Sequence, residues 1–144
     1  MGLFNIFGRP KPKPVPAVII RNRIGEEIDH VEGWDLCGKN LRNRNWCHAE
    51  LSEQILDGAD LSGSNLLGAN LQGASLRNCI LVNCEISYAD VSGCDFSGAD
   101  MDGCLLYRSE TQRARFENVR ATERSDIPGC KIVVSQPSHG VELI

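Results

Sequence analysis

Proline is missing from the middle of this chain. Its six prolines are Pro10, Pro12, Pro14, Pro16, Pro128 and Pro137, and none falls between Trp34 and Asn118. A stretch that keeps every backbone N–H available is one whose main chain can bond throughout, as a sheet needs. Aromatic residues are scarce at 6% and the net charge is −4, which suits a soluble protein. No apolar run approaches the roughly 20 residues of a membrane helix. The first residues, Met-Gly-Leu-Phe-Asn-Ile-Phe, lack the basic flank of a signal peptide, and Ile6 stands where a myristoylation pattern wants Ser or Thr. The cytoplasm, or a host cytoplasm or virion, is therefore the expected location. A Gly-rich phosphate loop and a Cys-x-x-Cys pair are both absent, and His30, His48 and His139 have no evident nucleophile partner. Cys47 and His48 are adjacent rather than at ligand spacing, so no metal or cofactor is expected.

What is present is a five-residue period. Every fifth position from Leu36 reads Leu36, Leu41, Trp46, Leu51, Leu56, Leu61, Leu66, Leu71, Leu76, Leu81, Ile86, Val91, Phe96, Met101, Leu106, Thr111, Phe116, and all but Thr111 are apolar. Two residues earlier the chain prefers a small side chain, as at Ala49, Ala59, Ser64, Ala69, Cys79, Cys84, Cys94, Ala99 and Cys104. Asp or Asn commonly lies between, as in Ala59-Asp60-Leu61. A helix would need apolar spacing of three to four and a plain strand strict alternation. Here the small and large residues are two apart and point to one side, as in a strand. The two residues that follow, often Ser-Gly or Asp-Gly, are turn formers. Each quintet is a short extended edge and a corner, and such edges wind into a solenoid.

The pattern resembles the pentapeptide-repeat family, whose consensus is Ala-(Asp/Asn)-Leu-x-x. The likeness covers residues 34–118, about seventeen quintets without an insertion. It implies an all-β fold, a right-handed quadrilateral β-helix with four quintets per coil, so that residues twenty apart stack. About four coils, at roughly 4.8 Å each, would make a rod some 20 Å long. The thiols of Cys79, Cys84, Cys94 and Cys104 then sit inside as small hydrophobes. Cys84 and Cys104 become parallel neighbours, a geometry that suits free thiols better than a disulfide.

On the outside, nine acids lie between Glu50 and Leu106 against one base, Arg77. Among them Glu50, Asp60, Asp90, Asp95 and Asp100 occupy the family's ordinary Asp/Asn position, and a convex rod offers them no cleft in which to act as an acid–base pair. Farther along, Arg108, Arg113, Arg115 and Arg120 reverse the balance. Leu67, Tyr88, Leu105 and Tyr107 on one face, with Ile80 and Val82 on the adjoining one, are apolar where the pattern says outside. They are expected to form one continuous patch for a partner.

The ends divide from the rod. Residues 1–16 hold an apolar tip (Leu3, Phe4, Ile6, Phe7) on a basic, proline-alternating arm (Arg9, Lys11, Lys13), read as a tether or a disordered leader. Residues 17–33 read as a hairpin that caps the first coil. In that coil Trp34, Lys39 and Arg44 replace small residues. Residues 119–144 read as a cap and tail, with one more strand near 129–134 and an apolar end, Val141-Glu-Leu-Ile144, that either frays or adds to a neighbouring subunit's sheet.

Two functions fit. The first is a non-enzymatic rod built into a larger homo- or hetero-assembly through its arms and patch, as a virion decoration or linking protein would be. The second, implied by the resemblance, is a DNA mimic that binds a type II topoisomerase such as gyrase through its acidic surface. Nucleic acid, a membrane and a small-molecule substrate are not expected partners: the five basic charges of residues 1–23 would give only weak, salt-sensitive DNA affinity.

Overall fold

The computed structural model describes residues 14–127, together with the backbone of 132–133 and 141–143. Leu3, Phe4, Ile6, Phe7, Arg9, Lys11 and Lys13 of the expected tether lie outside the described residues.

The quintet centred on Leu61 shows why the repeat reads as it does. A buried backbone N–H must find an acceptor, and five are in question. Asp60 donates to the Lys39 carbonyl of the preceding coil at 2.9 Å. Leu61 and Gly63 donate to Ile80 and Val82 of the following coil at 2.8 and 2.9 Å. Ala59 closes the corner onto the Leu56 carbonyl at 2.9 Å. The fifth, Ser62, donates to the carboxylate of Asp60, two residues back, at 3.0 Å. The Asp/Asn of the repeat is thus a side-chain acceptor for the corner N–H. The same bond joins Asn65 to Leu67, Asn70 to Gln72, Glu85 to Ser87, Asp90 to Ser92 and Asp95 to Ser97. Parallel bridges link residues twenty apart from Asn40 and Asp60 to Asp100 and Arg120, which places four quintets in each coil.

Every corner from Gly38 to Asn118 turns on a residue of positive φ, between 54° and 73°, two places after the large one. Together with the Ala59-to-Leu56 type of bond this is a type II turn, which favours Gly or Asn there. Glycine has a second reason at Gly68: a Cβ would lie 2.6 Å from Nδ1 of His48, whose side chain leans over it from the previous coil.

Inside, Leu41, Trp46, Leu56, Leu61, Leu71, Leu76, Leu81, Ile86, Val91, Phe96, Met101 and Leu106 are all fully buried, and Phe96 stacks on Phe116 with centroids 5.1 Å apart. The small inward position also bonds. The thiols of Cys79, Cys84 and Cys94 donate to the carbonyls of Leu56, Leu61 and Leu71 at 2.9, 2.7 and 2.8 Å. Ser64, Ser109 and Ser125 hydroxyls do the same to Leu41, Ile86 and Met101. Burial pushes the pKa of each of these three thiols up to about 12 and that of Cys104 well above its ordinary value.

At the start of the rod β1 (Ala17–Asn22) and β2 (Glu27–Glu32) pair antiparallel, and the other edge of β1 pairs with β3 (Ala49–Glu50) in the first coil. Ile20 and Val31 join the core. Asp29 of β2 accepts from the Arg44 guanidinium at 3.1 Å and from the Trp46 indole N–H at 2.7 Å. Arg44, a departure from the repeat, therefore ties hairpin to coil. Trp34, another departure, is turned outward and 87% exposed.

The coil continues past Asn118, where the sequence pattern fades. Val119, Ala121 and Ile127 are buried, and the bridge from Leu105 reaches Asp126, twenty-one residues on. One extra residue before Ile127 breaks the five-residue spacing while the coil keeps its path. The expectation that the last strand adds to a neighbouring subunit is corrected: β6 (Val141–Leu143) pairs with this chain's own β4 (Arg120–Ala121) and with β5 (Ile132–Val133), because β4 offers it an edge at the end of the rod. Among the described residues no helix is long and apolar enough to cross a membrane.

Leu61→Ala should lower the unfolding free energy by about 2–5 kcal/mol in urea melts, since it opens a cavity. The exposed Ile55→Ala, also at a repeat position, should cost under about 0.5 kcal/mol. Alkylation of native protein followed by peptide mass mapping should leave Cys79, Cys84, Cys94 and Cys104 unlabelled until denaturation, whereas the half-buried Cys37 and Cys47 react in the native state.

Candidate interaction surface

The outer surface is best read through its exceptions to the quintet's rules. Ile55, Ile80 and Leu105 occupy the Asp/Asn position, where an apolar side chain cannot accept the corner N–H. They are exposed by 57%, 40% and 37%. Tyr88 holds a positive-φ corner at 57°, a conformation uncommon for a bulky side chain. Around Leu105 and Tyr88 the exceptions gather. Leu105 bridges Glu85 in the coil before, and Tyr107 follows Leu105 by two residues. The rings of Tyr88 and Tyr107 meet edge to face, centroids 5.9 Å apart and planes at 85°. The Arg108 guanidinium lies 5.3 Å from the Tyr107 centroid. Each tyrosine is about half exposed, and Leu67, two coils below Tyr107 in the same column, is half-buried.

Ile80 and Val82 belong to the adjoining side of the rod. Ile80 bridges Asp60 on one side and Asp100 on the other. With Val82 it lines an open groove of about 430 Å³ shared with Arg42, Asn43, Asp60 and Ser62. The turns at Val82–Asn83 and Ser87–Tyr88 are the two opposite corners of one side of the rod, and Glu85 lies between them. Leu105, stacked on Glu85 in the next coil, lies between those corners.

The acidic surface divides into paired and unpaired carboxylates. Asp60 faces Arg42 at 3.8 Å, Asp95 lies between Arg77 and Arg115 at 3.9 and 3.8 Å, Asp100 pairs with Arg120 at 3.1 Å and Asp102 with Arg124 at 3.0 Å. The register explains these pairs. Arg115 and Arg120, which read in sequence as a separate basic end, stack directly over Asp95 and Asp100. Partial burial disfavours the Asp60 and Asp95 carboxylates. At each the bonds from Ser62 or Ser97 and the neighbouring arginines outweigh it and hold the pKa below the ordinary 3.8. At Asp102 the Thr122 hydroxyl, helped by Arg124 and Arg120, lowers it against burial.

By contrast Glu50, Asn70, Asp90 and Glu110 form one column. Glu50 accepts from Ser52 at 2.9 Å and from the Asn70 amide. Among the described residues Glu50, Glu85, Asp90 and Glu110 have no ion-pair partner. No group of three His, Cys, Asp or Glu among the described residues is gathered for a metal. Sequence reasoning passed over Ile24 and Ile55 as exposed residues and Asp29 as the hairpin's anchor. Ile55 was legible as an apolar residue in an Asp/Asn position, whereas the partners of Asp29 depend on how the hairpin packs.

A model of pentapeptide repeats matches residues 40–73, 48–83, 64–103 and 84–120, with eight copies. Solved structures agree. A pentapeptide repeat protein, Rfr23, from the cyanobacterium Cyanothece 51142 is 25% identical over 64% of this chain and 63% of its own, with a TM-score of 0.63. A pentapeptide repeat protein of the Arabidopsis thaliana thylakoid lumen is 28% identical over 61% of each chain, with a TM-score of 0.58. QnrB1, a plasmid-mediated fluoroquinolone resistance protein, is 21% identical over 62% of this chain and 47% of its own at a TM-score of 0.56, a likeness of fold alone. The chain matches less than two thirds of the length of the first two. A search of curated proteins gives no match. The fold is a right-handed quadrilateral β-helix.

A carboxylate whose pKa is lower folded than unfolded adds stability above its unfolded pKa and loses it as pH falls through the folded one. Thermal melts should therefore be nearly flat from pH 7 to 5 in respect of Asp60, Asp95 and Asp102 and fall below about pH 4. Asp95→Asn should flatten part of that acid slope.

Proposed function

The chain belongs to the pentapeptide-repeat family, and from that premise we propose that it is a non-enzymatic interaction module, a rigid rod that joins a larger protein assembly by its Tyr88–Tyr107 edge. The family is in general a structural and interaction fold rather than a catalytic one. The observation that carries the reading is the half-exposed, edge-to-face tyrosine pair with an arginine against it. Tyr and Arg are the residues that most often anchor protein interfaces. These side chains do little for the rod itself. Leu105 forgoes an acceptor for the Tyr107 N–H, and Tyr88 occupies a corner that glycine or asparagine would take with less strain. Residues that break a local rule without benefit to the fold point to a role outside it.

The duplex-mimic reading draws on the acidic surface. What supports it is the unpaired column of Glu50, Asp90 and Glu110. What weakens it is that Asp60, Asp95 and Asp100 each have an arginine beside them, so much of the surface is closer to neutral than the sequence count implies.

The test is the mass of the full-length protein in sedimentation experiments, with and without Tyr88→Asp and Tyr107→Asp. Asp tolerates positive φ, so the double variant should keep its circular dichroism and melt within a few degrees of wild type, while self-association is lost. An unchanged mass would show that the edge is not the contact, and inhibition of gyrase supercoiling by the wild type would then favour the mimic.

A further inference from the structure

We infer that the partner at the tyrosine edge is a second copy of this chain, docked side to side with its rod parallel to the first. The inference rests on the reading of that edge as an interface and names what meets it there.

The side concerned runs between two corners, one at Asn83 and Gly103 and the other at Tyr88 and Arg108. Stacked bridges from Asn45 through Asn65 and Glu85 to Leu105 make it a sheet ladder. It is the least charged side of the rod. The positions flanking Trp46, Leu66, Ile86 and Leu106 carry one charge, Glu85. The next lowest side carries three over the same coils, Glu50, Asp90 and Glu110. Depletion of charge is what marks the centre of a protein interface against the rest of a surface.

The apolar residues of this side are placed as a two-fold axis requires. A contact between two identical patches must be self-complementary. Leu105 and Tyr107 flank Leu106, one on each half of the side, exposed by 37% and 49%. In the coil before, Val82 adjoins the corner at one margin and Tyr88 holds the corner at the other. An axis along the middle of the side, parallel to the rod, exchanges the two halves and keeps each coil level with its copy. Tyr107 then meets the partner's Leu105, and Tyr88 approaches the partner's Val82.

Charge agrees with the same axis. It sets Glu85 diagonally opposite the partner's Arg108, one coil apart. Neither residue has an ion-pair partner within the chain among the described residues. The Arg108 guanidinium lies by the Tyr107 ring, at the rim of the contact. An antiparallel pair in register would instead set Tyr107 over Cys47 and Arg108 over His48, and match neither. A side about 20 Å long makes a small interface, so the dimer should be a weak one that dissociates on dilution.

Sedimentation of the full-length protein over a dilution series should show a monomer–dimer equilibrium. Glu85→Lys alone and Arg108→Glu alone should each raise the dissociation constant by about tenfold or more, because either change opposes like charges twice in the dimer. Glu53 already holds a corner at positive φ, so the turn accepts Arg108→Glu. Mixed in equal amounts, the two variants should recover the dimer, since in the mixed pair both contacts again join opposite charges. A variant that had merely lost its fold would show no such recovery. A wild type that stays monomeric, or a mixture no more dimeric than its components, would overturn the inference. If Tyr88→Asp/Tyr107→Asp abolishes an association that the charge variants leave unchanged, the edge is an interface of another kind and only this inference falls. If association survives both sets of changes, the reading of the edge falls as well.

Discussion

Five backbone N–H groups per quintet need five acceptors, and the rest of this molecule follows from how it finds them. Three go to neighbouring coils and one closes the corner. The last is met by an Asp or Asn side chain two residues back. Each edge meets the same need, so the rule repeats at each edge, and the sequence repeats with it. Proline, which has no N–H to contribute, is kept out of the rod. The inward small position obeys a related rule: Ala fits it, while Ser and Cys fit and also donate to a carbonyl of the coil before. Cysteine is abundant here for its size and weak donor, and deep burial keeps its thiol protonated.

A framework this regular makes exceptions informative. Arg44 breaks the small-residue rule and is spent on Asp29 at the hairpin. The extra residue before Ile127 breaks the spacing where the coil nears its end. Leu105 and Tyr88 break the acceptor and corner rules, as Ile55 and Ile80 break the first and His48, Glu53, Arg108 and Arg113 the second. The edge-to-face contact of Tyr88 with Tyr107, with Arg108 against it, separates this edge from the scattered apolar residues any surface has.

Stacking also redistributes charge. Along the chain acids come first and arginines later, an arrangement that suggests an acidic body with a basic end. Because a coil returns every twenty residues, Arg115 and Arg120 lie on Asp95 and Asp100. Among the described residues Glu85, Asp90 and Glu110, on the sides that flank the tyrosines, keep no such partner, and neither do Glu53 and Asp57 elsewhere on the rod.

The chain's sequence alone determined that it winds as a solenoid and which residues point inward, because those contacts recur at a fixed spacing and so print themselves as a period; the four-sided section was implied by the resemblance to the pentapeptide-repeat family, since a period of five does not say how many quintets close a coil. The hairpin was legible too, from alternation within Glu26–Val31 and the turn before it. Contacts without a period were decided by tertiary structure. The anchoring of Arg44 and Trp46 by Asp29, the return of β6 onto β4 and the slip before Ile127 each join residues at separations that no repeat announces. The apolar set was visible as residues, but the edge-to-face meeting of Tyr88 with Tyr107 was not. How two outward rings meet depends on their side-chain angles, and a list of outward positions carries none.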